Sequence, residues 1–196
     1  MEHVPFVYRS GLVACFLRSC RALGEMELAA TNVIRSVSTV FFVIVNSLAA
    51  TTGSLVSNLL GAGQKRQVIP LCNCVVRLGY AIGFPLVILA VIFYRPIIGI
   101  YTESTALMQI AHLPFVVMLL NYIFALPGYV YMNSVTGTGA TRMTFIFQLI
   151  TIVAYQIYLW SISSFSTSLS VYWTAEYLYV ILLGLLSVIY LKYKHY

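Results

Sequence analysis

Long apolar runs, separated by connectors of only a few polar residues, dominate this chain. A helix needs about 20 residues, at about 1.5 Å each, to cross about 30 Å of hydrocarbon. The runs are apolar on every side, which excludes the alternating strands of a transmembrane barrel, and a helix satisfies its own backbone groups in lipid. The sequence therefore predicts an all-α, polytopic transmembrane helix bundle of five to six spans, at about residues 4–23, 30–60, 70–94, 106–131, 143–162 and 171–191.

The composition supports an integral membrane protein and excludes other classes. Of the 196 residues, 61% are apolar and 8% are charged, whereas a soluble domain has about 45–50% apolar and about 25% charged residues. Disorder requires the opposite balance. The net charge of +6 comes from basic residues spread singly or in pairs between apolar runs, so we expect no nucleic-acid partner and a lipid bilayer around the chain.

The first run differs from the others because it carries Arg9, Arg18 and Arg21. We therefore expect residues 1–27 to form an incomplete or atypical first helix with an outer turn. Residues 28–196 then form the bundle proper.

The distribution of basic residues predicts the orientation. If the spans alternate, one side of the membrane receives Lys65, Arg66, Arg142, Lys192 and Lys194. The other side receives Arg95 with Glu103, and residues 161–170 carry no charge. By the positive-inside rule, the C-terminus is cytoplasmic and the protein lies in the cytoplasmic (inner) membrane.

The sequence contains no recognisable catalytic or metal-binding set. The histidines His3, His112 and His195 are far apart, and the cysteines lack metal-ligand spacing. We therefore expect no enzyme activity, no cofactor and no metal site. The glycines of two connectors are interpreted as structural turns, in which glycine ends a helix at low cost: Gly61, Gly63, Gly137 and Gly139.

Polar groups inside hydrocarbon cost free energy and are therefore candidates for function. The candidates for a cavity or an ion path are Asn46, Thr51, Asn121, His112 and Glu176. The alternative role of such residues is to hold helices together by hydrogen bonds. Pro114 and Pro127 also interrupt the fourth span, and bent helices are common beside substrate paths.

Four stretches together resemble the MATE (multidrug and toxic compound extrusion) family of transporters. They are residues 23–32 (LGEMELAATN), 55–64 (LVSNLLGAGQ), 101–103 (YTE) and 135–142 (VTGTGATR). They follow the family's order and spacing over about residues 20–191, and they match its C-terminal lobe.

The resemblance implies one lobe of a protein built from two six-helix lobes around a central cavity. Such a protein exports cationic or amphipathic small molecules, driven by inward flow of H⁺ or Na⁺ as the coupling ion. The second lobe would come from the full-length chain or from another copy. No coupling residue carries over from the family's pattern.

Two alternatives remain at the level of the sequence. A lipid-linked oligosaccharide flippase of the same superfamily needs cationic groups facing a pyrophosphate, and the spans supply only Arg35 and Arg77. The other alternative is a membrane scaffold or fragment that transports nothing.

Overall fold

The computed structural model describes residues 25–101, 105–165 and 169–194, and the elements in these ranges are helical. The first helix is α1, Glu25–Gly61, followed by a short 3₁₀ turn at Lys65–Gln67. The remaining helices are α2 (Val68–Ile92), α3 (Tyr94–Gly99), α4 (Thr105–Leu120), α5 (Tyr122–Gly137), α6 (Thr141–Phe165) and α7 (Leu169–Tyr193).

Five segments are long and apolar enough to cross a membrane: Leu28–Gly61, Lys65–Ile92, Thr105–Gly137, Thr141–Ile162 and Val171–Tyr193. They coincide with five of the spans that the sequence predicts, so the all-α transmembrane bundle is confirmed. The sixth prediction, residues 4–23, lies outside the described residues.

The third span is interrupted for one residue at Asn121, between α4 and α5, although Asn121 keeps a helical φ of −59° and ψ of −24°. We call this interruption the break. Proline has no backbone N–H, so Pro127 leaves the carbonyl of Ile123 without its helical partner. The hydroxyl of Tyr80 on α2 donates a hydrogen bond to that carbonyl. Pro114, in contrast, lies inside α4 without ending it. The break thus lies in the turn and a half before Pro127, and a side chain of another helix compensates for the bond that Pro127 removes at Ile123.

Helix α5 lies at the centre of the bundle and packs most extensively against α1 and α7. Against α1, the Ser57 hydroxyl donates to the carbonyl of Gly137 at 2.8 Å. Against α7, a Cβ added to Gly128 would lie 2.7 Å from the carbonyl oxygen of Val180. Small residues at these crossings let the backbones approach closely, as is typical of membrane helices.

Helix α5 also packs closely against α2 where α2 carries glycine. The ring of Tyr122 occupies the space where Gly83 would carry a side chain. Its hydroxyl donates to the carbonyl of Gly79 at 2.9 Å. Tyr122 therefore fills a notch in α2 and also finds a partner for its buried hydroxyl.

The buried apolar side chains form two clusters that meet near Asn121. One cluster contains Ile34, Ile98 and Phe115. The other contains Val56, Cys72 and Leu126. The two halves of the broken span thus contribute to different clusters, α4 to the first and α5 to the second.

Two of the four glycines interpreted as turns have positive φ: Gly63 at 75° and Gly139 at 82°. At the end of α1, the amide of Gly63 bonds to the carbonyl of Leu60, and that of Gln64 bonds to Leu59. These two bonds form a Schellman motif, which needs a left-handed residue such as glycine. Gly61 and Gly137 are instead the last residues of α1 and α5.

We expect Gly128→Ala to lower the free energy of unfolding by about 1–3 kcal/mol, because the added methyl meets rigid backbone at Val180. Thermal unfolding in detergent measures the change. Gly61→Ala is the matched control, since a Cβ there meets no atom within 4 Å. Equal melting temperatures for the two variants would contradict the close contact.

Candidate functional site

One face of α1 is exposed and polar along most of the helix. We call it the polar face of α1, and it consists of Asn32, Ser36, Thr39, Asn46, Ser47, Thr51, Ser54 and Asn58, all exposed. Apart from the adjacent pair Asn46 and Ser47, successive members are three, four or seven residues apart, which places the set on one side of the helix. Two of the sequence candidates, Asn46 and Thr51, therefore belong to one surface.

The hydroxyl groups of this face donate hydrogen bonds to their own helix. Thr39 donates to the carbonyl of Arg35 at 2.9 Å, and Ser47 donates to that of Val43 at 2.8 Å. Thr51 donates to the carbonyl of Ser47 at 2.8 Å. Because the protons point into the helix, the oxygen lone pairs remain available outside it. The face therefore presents hydrogen-bond acceptors without formal charge.

Large apolar side chains dominate the exposed faces of α2 and α6. On α2 they include Leu78, Ile82, Leu86 and Leu89, and on α6 they include Ile146, Ile150, Val153 and Ile157. Side chains of this kind suit contact with lipid tails, whereas exposed side-chain amides do not. The contrast distinguishes the polar face of α1 from surfaces that face lipid.

Asn121 lies at the break in the third span and is 8% exposed. Its backbone amide bonds to the carbonyls of Val117 and Met118, each at 3.2 Å. Its side-chain oxygen Oδ1 is buried and has no hydrogen-bond partner among the described residues. Since Asn46 is exposed on α1, the structure does not bring these two asparagines to one surface.

His112 is exposed on α4, near the opposite end of the bundle from Lys65. Its ring lies edge-on to Tyr94, with 4.8 Å between the ring centroids. Burial raises the pKa of the Tyr94 hydroxyl, against the smaller opposing effect of Arg95. That hydroxyl donates a hydrogen bond to the carbonyl of Met108, which ties α3 to α4.

Glu176 is the one acidic residue within the five described spans. It is half-buried near the start of α7, and the Tyr155 hydroxyl lies 3.4 Å from its Oε1. In the same region Tyr158 and Thr174 join α6 to α7 through hydroxyl groups 2.9 Å apart. Glu176 thus combines a carboxylate with hydrogen-bonding neighbours inside a span, which is the chemistry that cation binding or protonation requires.

Most of these helices lie in a stretch of the chain that matches a known protein family. A model of the MatE family matches residues 12–161, which is most of the chain. The chain belongs to the MatE family. Members are membrane efflux transporters rather than enzymes, so the resemblance found in the sequence is confirmed. Neither the curated proteins nor the solved structures gave a match.

The sequence of this MatE chain predicts Asn46 and Thr51 as single site residues, but not the polar face of α1 as a whole. The signal was present in the sequence, because serine, threonine and asparagine recur from Asn32 to Asn58 at helical spacing. A single hydroxyl is common in a membrane helix, so no one of these residues by itself indicates a polar face. Only the exposure of all eight residues marks a continuous surface.

We expect Asn121→Leu to leave the melting temperature unchanged or to raise it, because removing an unpartnered buried oxygen carries no hydrogen-bond loss. Ser134→Ala is the matched control. The Ser134 hydroxyl is fully buried, donates to the carbonyl of Val130 at 2.8 Å, and lies 2.9 Å from Cys72 Sγ.

The control should lose about 1 kcal/mol of stability with its hydrogen bonds. Thermal unfolding of both variants in the same detergent makes the comparison. A loss for Asn121→Leu as large as that for Ser134→Ala would mean that Oδ1 is satisfied in the folded protein.

Proposed function

We propose that this chain is one lobe of a secondary transporter that exports cationic or amphipathic small molecules in exchange for H⁺ or Na⁺. The single observation that carries the proposal is the polar face of α1. The serine and threonine hydroxyls of this face donate to their own helix, but a side-chain amide that faces hydrocarbon without a partner is costly. The exposed amides of Asn32, Asn46 and Asn58 along this row therefore favour contact with water and solute. In a family of efflux transporters, the surface that contacts water and solute within the membrane is that of the substrate cavity.

The chemistry of the polar face suits cationic and amphipathic solutes. Hydroxyl and amide oxygens attract a cation without binding it as tightly as a carboxylate would. Exposed Val40 and Val43 lie among them and offer apolar contact. Weak contacts of both kinds permit release of the solute, which a transporter needs as much as binding.

A second six-helix lobe completes this proposal. The polar face is exposed in the described part of the chain, so one lobe by itself leaves the cavity open. A second lobe facing α1 would enclose it, whether supplied by a longer chain or by another copy.

The proposed orientation places the end that carries Lys65, Arg66 and Arg142 in the cytoplasm. We call this the basic end of the bundle, and Lys192 and Lys194 follow at the same end. The positive-inside rule supports this placement in a cytoplasmic membrane, with a cytoplasmic C-terminus.

Glu176 is the proposed coupling residue of this lobe, with Asn121 and His112 as further candidates for the ion path. A coupling group must change its protonation or its bound ion between two states of the transporter. Glu176 has the required carboxylate, and Tyr155 lies close enough to donate a hydrogen bond to it. No cofactor enters the mechanism.

The double variant Asn46→Leu with Thr51→Val should lower the efflux rate of a fluorescent lipophilic cation by about tenfold, equivalent to ~1.4 kcal/mol of barrier. The reason is that it converts the centre of the polar face into an apolar surface. Uptake into inverted vesicles that carry the whole transporter measures the rate.

Leu78→Val is the matched control, because Leu78 is exposed on the apolar face of α2. It should leave transport unchanged. Normal transport by the double variant, at equal expression, would show that the polar face does not line the substrate cavity.

Glu176→Gln should abolish ion-driven export while leaving substrate binding intact, because glutamine keeps an acceptor oxygen for Tyr155 but cannot ionise. Two measurements separate these effects: transport under an imposed pH or Na⁺ gradient, and equilibrium binding of the labelled cation. Tyr158→Phe, which removes a hydroxyl from the same region, is the control. Full export by Glu176→Gln would assign coupling to another group.

A further inference from the structure

A groove opens between the end of α1 and the start of α2, at the basic end of the bundle. Its volume is about 510 Å³. Its apolar walls are formed by Leu55, Leu59, Pro70 and Leu71. Asn58, Gln67 and Cys74 add polar groups to the lining, and all three are exposed.

The groove has its apolar and polar parts at different depths. Leu55 lies between one and two helical turns before the end of α1 at Gly61, and Leu59 lies within the last turn, both inside the span Leu28–Gly61. Gln67 belongs to the 3₁₀ turn between α1 and α2, at the very start of the span Lys65–Ile92. The groove therefore runs from the hydrocarbon region to the level of the lipid headgroups.

The mouth of the groove is positively charged. Lys65 and Arg66 are exposed and immediately precede Gln67 in the same 3₁₀ turn. In the described part of the chain, the connectors at this end contain no acidic residue. Neither basic side chain is thus neutralised by an acidic residue in those connectors.

We propose that this groove binds an anionic glycerophospholipid. An acyl chain lies against Leu55, Leu59 and Leu71, and the phosphate contacts Lys65 and Arg66. The side-chain amide of Gln67 is placed to donate a hydrogen bond to the headgroup, and Asn58 lies where the groove meets the polar face of α1. The proposal does not depend on the transported substrate or on the coupling ion.

Both parts of the site are needed for this choice of ligand. Pairs of basic residues next to a span attract anionic headgroups, whereas the ammonium of a zwitterionic lipid offsets its phosphate. Inorganic phosphate has the charge but nothing to fill an apolar groove. An anionic phospholipid matches both the charge of the mouth and the apolar walls.

Cys74 gives a local reporter, because its thiol is free, exposed and part of the lining. The experiment follows alkylation of Cys74 by N-ethylmaleimide in the purified protein, with peptide mass spectrometry to resolve Cys74 from the other cysteines. Samples contain mixed micelles with phosphatidylglycerol, with phosphatidylcholine, or with phosphatidylcholine and inorganic phosphate.

With phosphatidylglycerol at ten times its Kd, alkylation should slow by about tenfold, because mass action leaves about one groove in eleven empty. Lys65→Ala with Arg66→Ala should remove most of this protection in the same micelles. Lys192→Ala with Lys194→Ala is the matched control, with equal loss of charge at the same end of the bundle, and it should keep the protection.

Three results would overturn the proposal. Equal protection by phosphatidylcholine would mean that the groove takes any acyl chain. Protection by inorganic phosphate would mean that the headgroup alone is bound. Equal loss of protection in the two double variants would mean that general surface charge, and not this groove, attracts the lipid. Native mass spectrometry of the same samples, counting retained phosphatidylglycerol, checks binding independently of the thiol.

Discussion

The close approach of α5 to its neighbours is the contact on which the rest of the bundle depends. In lipid no hydrophobic effect drives helices together, so their association relies on packing and on hydrogen bonds between helices. Gly128, Gly137 and Gly79 remove the side chains that would hold the backbones apart. Ser57 and Tyr122 then reach backbone carbonyls across the crossings. With α5 fixed in this way, α1 has one side buried and its polar side exposed.

The length and apolarity of the runs were enough to predict the spans, because hydrocarbon thickness sets a length that depends on no tertiary contact. The break at Asn121 was harder to place. Proline bends a helix upstream of itself, and the hydroxyl that compensates comes from Tyr80, which is distant in sequence. A partner distant in sequence also explains Gly137, which the sequence predicts only as a turn residue. Its close contact is the backbone of Gly53 on another helix.

The candidate site could be predicted only in part. Asn46 and Thr51 were identified by their polarity within an apolar run, and they share the polar face of α1. Asn121, His112 and Glu176 were identified by the same rule, yet they lie on other helices and differ in burial. Polarity in a span indicates that a residue needs a partner. Which residues share a surface depends on how each helix is rotated, and that rotation is set by contacts such as those of Gly128.

The broken third span also constrains how the chain enters the membrane. Helices α4 and α5 have 16 residues each, so each extends only about 24 Å, less than the ~30 Å of a hydrocarbon core. Neither half can therefore be a stable transmembrane segment by itself. The two must be inserted as one unit, with the amide of Asn121 carried to the middle of the bilayer during synthesis. Burial of the long apolar segments on both sides in hydrocarbon offsets the free-energy cost of placing that amide there.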